Sequence, residues 1–215
     1  MTEATLTCSL AQTPEDLHHV YRLRYECYRR DESIPRHDEE CFSDPYDGMP
    51  NHFSFLARRE SADPIGTVRI SVVRPGTDWH TAPCHSVFGD HPAFQRIARE
   101  PFVEASRLCF RRRANRDALM RVVSYMAALA DFYEVAWLVA CPRVEHSPMY
   151  EKLFGFLRMA EPRQYAGVKF ETTLLAISRE ALDRHTNGTK SMDEARARAL
   201  AHLMDAAGRT HAAHA

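Results

Sequence analysis

Glu104 and Arg107 stand three residues apart inside FVEASRLCF, an otherwise largely apolar run at 102–110. A carboxylate in such a run is a candidate general base, because loss of water disfavours its charged form and lifts its pKa towards neutrality. The plainer reading is a half-buried carboxylate paired with a nearby arginine. Arg107 poses a geometric question, since residues three apart in a regular strand point to opposite faces. A β-bulge between them would bring both to one face. With or without it, Arg107 suits an ion pair with Asp44 or Asp47 from the polar segment upstream. Directly after the run, RRRANRD supplies Arg111, Arg112, Arg113 and Arg116, with Asn115 suited to a left-handed turn or a helix cap. Cations at a helix start favour a phosphate or an acidic partner. The plainer reading there is a solvated basic loop.

Bulk composition narrows the classes. The chain has 215 residues, 45% hydrophobic and 27% charged, with a formal net charge of −1. That is ordinary globular composition with no overall basic field, which argues against nucleic acid as a partner. No apolar run reaches membrane-spanning length, so stable membrane insertion is not expected. The start, MTEATLTCSLAQTPED, lacks the basic-then-apolar pattern of a secretory signal. The cysteines Cys8, Cys27, Cys41, Cys84, Cys109 and Cys141 form no CxxC pair, so reduced thiols in the cytoplasm are expected. The histidines fall into no HExxH or Cys/His spacing, and no metal is expected.

The elements that must position these groups follow from pattern. ATLTCSLAQ reads as a strand. Thr13 caps a helix whose first turn holds Pro14 and whose apolar face carries Leu17, Val20, Tyr21, Tyr25 and Tyr28. From Asp31 to Pro50 the chain is polar and holds prolines, as in a long loop with one helical turn. NHFSFLARRE and PIGTVRISVVRP form a hairpin, and WHTAPCHSVFGDHPAF a loop with short helix. After the 102–110 strand comes an amphipathic helix with Leu119, Val122, Val123, Met126, Leu129, Ala130 and Tyr133 on one stripe. AWLVACPRV reads as a doubly buried strand, HSPMYEKLF as a short helix ended by Gly155, and FLRMAEPRQY with VKFETTLLAIS as a closing strand pair. A mixed α/β (α+β) sheet flanked by helices is expected for residues 1–180. Residues 181–215 are expected to form a linker, a helix and a disordered tail.

In this order the elements resemble the GNAT acyltransferase fold, and YEKLFGF resembles the Tyr-then-Gly-Phe signature after its fifth strand. Within it the marks LRYECY (Arg24, Tyr28), DPYD (Asp44, Asp47), IGTVR (Gly66, Arg69) and EASR (Glu104, Arg107) resemble the N-acyl amino acid synthases. Their relatives are the acyl-homoserine-lactone synthases, which make autoinducer signals, and the exosortase-associated acyltransferases. Ile34, where the lactone synthases usually carry tryptophan, and the presence of Tyr150, Gly155 and Phe156 favour the amino acid branch.

The resemblance implies an acyl-carrier-protein-dependent N-acyltransferase, joining a long acyl chain to the amino group of an amino acid or related amine. Glu104 and Tyr150 would be catalytic, as base and as acid to the departing thiolate. Arg24, Tyr28, Asp44, Asp47, Arg69 and Arg107 would hold the amine substrate and the loop over it. It also implies the bulge near Arg107, with a backbone N–H turned to the reacting carbonyl oxygen. Arg111, Arg112, Arg113, Asn115 and Arg116 would meet the carrier and its phosphopantetheine. Coenzyme A users in this fold place a glycine-rich loop there, and RRRANRD has no glycine. No permanently bound cofactor is expected; the donor is acyl-phosphopantetheine on acyl carrier protein, or acyl-CoA. Rival readings are acetyl transfer from acetyl-CoA, a lactone-synthase-like signal enzyme, and a binding module with a degenerate site.

Overall fold

The structure, a computed structural model, describes residues 6–59, 63–75, 79–111, 116–186, 194, 196, 197 and 199–201. The chain is a GNAT-like mixed α/β fold. Strand β1 (Leu6–Leu10) leads into helix α1 (Pro14–Arg30), which starts as its sequence dictates. Thr13 Oγ1 accepts from the Asp16 backbone N–H and the Asp16 side chain returns the bond, a capping box with Pro14 in the first turn. A 3-10 turn at Pro45–Gly48 punctuates the long loop, capped by Asp44 and Asp47 in the same reciprocal way.

β2 (His52–Arg59), β3 (Gly66–Val73) and β4 (Phe102–Phe110) follow, with short helices α2 (His85–Phe88) and α3 (Pro92–Ile97) between β3 and β4. α4 (Arg116–Phe132) crosses to β5 (Trp137–Ala140), and α5 (Ser147–Phe154) ends at Gly155, whose φ of 72° only glycine adopts freely. β6 (Leu157–Arg158), β7 (Arg163–Gln164), β8 (Glu171–Thr172), β9 (Leu175–Ser178) and α6 (Arg179–Thr186) complete the set.

The main sheet has seven strands in the order β1-β2-β3-β4-β5-β9-β6, antiparallel except for the β4–β5 pair. The expected closing strand pair is divided. β6 joins β9 in the main sheet, while β7 and β8 form a separate ribbon. Pro162, with no N–H to donate, and Gly167 at φ 81° interrupt what would have been continuous strands.

Two apolar layers sandwich the sheet. One gathers Phe55, Ile70, Val103 and Leu138 under α4, α5 and α6; the other gathers Val73, Phe102 and Val139 with Phe88, Phe94 and Ile97 of α2 and α3. The feature that matters for chemistry is where β4 and β5 part. They pair only from Phe102–Trp137 to Ala105–Ala140, yet β4 runs on to Phe110. Beyond Ala105 its free side opens a groove of about 900 Å³. Tyr28 of α1, Leu119 of α4 and Tyr150 of α5 are among the residues that wall it.

Candidate active site

Glu104 sits just before the point where the strands part, registered between Ser71 of β3 and Val139 of β5. It is 0% exposed. Its Oε2 accepts from the Cys84 backbone N–H at 3.1 Å, and its Oε1 is buried without a hydrogen-bond partner. Burial pushes its pKa up to about 7; the bond from Cys84 and the charges of Arg69 and Arg107 oppose that shift without cancelling it. At neutral pH this carboxyl is therefore divided between acid and base forms, as a proton-transfer group requires. It does not itself line the groove. Ala105, Ser106 and Cys141, its neighbours along and across the strands, do.

The strand past Glu104 is irregular. Ser106 faces Arg69 and Cys109 faces Thr67, so two residues of β4 oppose Val68 alone. Arg107 takes up this extra residue at φ 56°, a conformation that costs an arginine strain. The bulge turns Arg107 towards the Glu104 face, where its Nε and Nη2 reach Asp44 Oδ2 at 2.9 and 2.7 Å.

From there a ladder of alternating charge runs under the loop. Asp44 meets Arg69 at 2.6 Å, Arg69 meets Asp47 at 3.0 Å, and Asp47 meets Arg24 at 2.7 Å. The Arg24 side chain is 1% exposed and that of Arg69 0%. Burial alone would raise Asp44, but the bonds and charge from Arg69, with Arg107 beside it, hold its carboxyl well below the usual carboxylate range. Three guanidiniums face two carboxylates in this ladder, so the surroundings of Glu104 carry net positive charge. Tyr28 stacks its ring 5.7 Å from the Arg107 guanidinium, with Phe42 and Tyr165 on other sides.

Thus the structure joins Arg24, Tyr28, Asp44, Asp47, Arg69 and Arg107 in one network, and Glu104 lies close enough to feel the charge of Arg69 and Arg107. Tyr150 is 8% exposed and lines the groove, and burial pushes its phenol up so that it keeps its proton. Arg111 lies at the groove too, held by Glu26 at 2.7 Å. Arg112, Arg113 and Asn115 lie outside the described residues, and of Arg116 only the backbone, at the first position of α4, is described.

Four participants had no mark in the sequence. Cys84 donates the one backbone bond to Glu104, and Cys141 carries a thiol to the groove wall. Ser71, across from Glu104, is 3.0 Å through Oγ from Nδ1 of His52, whose burial lowers its pKa to about 4 and keeps the ring neutral. Among the described residues, no group of His, Cys, Asp and Glu could hold a metal ion, and no helix is long and apolar enough to cross a membrane.

The model of the family described as "N-acyl amino acid synthase FeeM" matches residues 19–178. Among solved structures, FeeM, an N-acyl amino acid synthase from uncultured soil microbes, shares 14% identity at a TM-score of 0.70, covering 85% of this chain and 96% of that one. The AHL synthase LasI shares 14% identity at a TM-score of 0.63, covering 86% and 96%. BjaI, a CoA-dependent acyl-homoserine lactone synthase solved with SAM and isopentyl-CoA, shares 18% at 0.57, covering 86% and 88%. At such identities the likeness speaks for the fold. No curated protein sequence matches.

Proposed function

The chain belongs to the N-acyl amino acid synthase FeeM family and is an acyltransferase, and from that premise we propose the reaction it performs. It transfers a long acyl chain from the phosphopantetheine thioester of acyl carrier protein to the amino group of an amino acid or related amine. The observation that carries this reading is Glu104: a sealed carboxyl near pKa 7, with one oxygen uncommitted, beside the opening of an acyl-sized groove.

An amine reaches the site as its ammonium, which is no nucleophile. Glu104 takes that proton through an intervening water, since the carboxyl is set back from the groove wall. The freed nitrogen attacks the thioester carbonyl held between the parted strands. A backbone N–H at the Arg107 bulge stabilises the developing oxyanion. The C–S bond then breaks as Tyr150, kept protonated by burial, gives its proton to the departing thiolate, and the excess proton on the new amide nitrogen passes to the phenolate and restores it. Arg24, Asp44, Asp47, Arg69 and Arg107 fix the loop and the amine pocket, with Tyr28 as a wall. Arg111, Arg112, Arg113, Asn115 and Arg116 supply the charge that meets the acidic carrier.

The acyltransferase domain is drawn at residues 1–180 with 181–215 as an extension, and the reaction is assigned to the cytoplasm. α6 crosses that boundary and buries Leu182 in the core. Arg196 in the extension reaches Asp131 of α4 and Asp183 of α6, each at 2.5 Å.

The test is direct. The purified protein is given dodecanoyl groups on acyl carrier protein or on coenzyme A, with a panel of amino acids and amines, and products are read by mass spectrometry. A long-chain N-acyl amino acid formed faster from the carrier supports the reading. Exclusive acetyl transfer from acetyl-CoA overturns it.

A further inference from the structure

Four arginines line the groove, and three of them are already matched. Arg30 meets Asp31 at 2.9 Å, Arg107 meets Asp44 at 2.7 Å, and Arg111 meets Glu26 at 2.7 Å. Arg143 is different. Its nearest carboxylate among the described residues, Glu145, lies 3.7 Å from Nε with a side chain 66% exposed, beyond hydrogen-bond reach. That Nε is buried without a hydrogen-bond partner. Nη1 makes a long contact of 3.4 Å to Ser33 Oγ, and the guanidinium rests 4.9 Å over the Phe170 ring. A guanidinium partly withdrawn from water, braced by an aromatic plate and paired only with the exposed Glu145 outside hydrogen-bond distance, is set to receive an anion.

The position says which anion. Arg143 follows β5 by three residues, past the point where β4 and β5 part. A run of contacts joins it to the catalytic face: Phe170 lies 6.3 Å from Tyr28, and Tyr28 lies 5.7 Å from the Arg107 guanidinium. The basic segment that begins at Arg111 lies just past the end of β4, well along the strand from Glu104. We propose that Arg143 receives the carboxylate of the acceptor, and so selects amino acids over simple amines. This rests on the acyl-transfer reading above. The backbone of Arg143 is held independently by its bridge to Thr172, so the side chain can be changed without removing that support.

Equilibrium binding separates this claim from the reaction itself. The full chain is titrated with N-dodecanoyl-phenylalanine and with N-dodecanoyl-phenethylamine, which lacks only the carboxylate. The native protein should prefer the acid by roughly tenfold to a hundredfold, the range of a charged hydrogen bond. Arg143→Gln should erase that preference by weakening the acid alone, and Arg143→Lys should recover part of it. Indifference of the native protein to the pair, or an unchanged preference in Arg143→Gln, overturns the assignment. So does a loss confined to dodecanoyl-phosphopantetheine, which would give the anion to the donor. A protein that prefers the acid but forms no amide would instead refute the reaction and leave the receptor standing.

Discussion

The Cys84 backbone N–H donates to Glu104 Oε2 at 3.1 Å, and the Cys84 thiol lies beside the same carboxyl. The backbone bond fixes the carboxyl's direction without satisfying its charge, and Oε1 remains uncommitted. The Cys84 thiol cannot compete for the proton, because burial, with Cys141 and Glu104 close by, raises its pKa well above the ordinary thiol value. Of this pair, the carboxyl and not the thiol is the group that exchanges protons near neutrality.

That titration should govern rate. The base form of Glu104 grows as pH rises through about 7, so kcat/KM should climb across that range and level off above it. In Glu104→Gln the limb should vanish, leaving a slow rate that follows the fraction of free amine at higher pH. The same limb persisting in the variant would assign it to another group.

The same shift has a consequence for stability with a defined sign. A carboxyl raised from 4.5 to about 7 on folding contributes stability that is full below pH 4.5 and is lost as pH rises through about 7. The loss amounts to roughly 3 kcal/mol. Glu104→Gln has no such charge to bury, so its stability relative to the native protein should rise between pH 5 and pH 8. Urea denaturation at the two pH values checks it. A pH-independent difference would mean that water reaches the carboxyl.

The charge ladder makes a different demand. Asp47 bonds Arg24 and Arg69, both buried, and its side chain is itself 4% exposed. Asp47→Asn keeps the size and one acceptor but strands buried positive charge, which should cost about 3–5 kcal/mol. A loss under about 1 kcal/mol, typical of solvated pairs, would show the ladder to be screened.

How far the sequence speaks can be read from single residues. The apolar stripe of α1 announces Val20 and Tyr25, and both are buried. It gives no hint that Arg24 is buried among them, because the cause is Asp47, 23 residues away on a loop. Capping at Thr13 and the stop at Gly155 are local, and local chemistry fixes them. The bulge is not local. Arginine has no preference for φ 56°, so only the resemblance pointed to it. Cys84, His52 and Arg143 matter through register and packing, which leave no periodic trace.

Carrier recognition should be electrostatic. Arg111 is a poor probe because reversing it sets two carboxylates, its own and Glu26, face to face. Reversing Arg112 and Arg113 together should weaken carrier binding about tenfold at 50 mM salt and much less at 500 mM, as the Debye length shrinks. Calorimetry at the two salt concentrations reads this out. A loss that salt leaves unchanged would argue against a charged rim.

Chain length can be tested through Gly66. It pairs with Phe110, and a Cβ placed on it would lie 2.3 Å from Cδ1 of that ring. No Cβ tolerates such a distance, so in Gly66→Ala the ring must move. Phe110 lines the groove, and Ala57 pairs with Gly66 on its other side, so displacement into the groove is the open direction. The strain should cost about 1–3 kcal/mol, and the shortened space should move the preferred acyl chain to fewer carbons. Adding Phe110→Ala removes the obstructing ring and should restore or lengthen the preference. Acyl chains compared in competition, with products read by mass spectrometry, decide it. If Gly66→Ala folds and keeps the native chain-length profile, the acyl chain lies elsewhere than along the Phe110 wall.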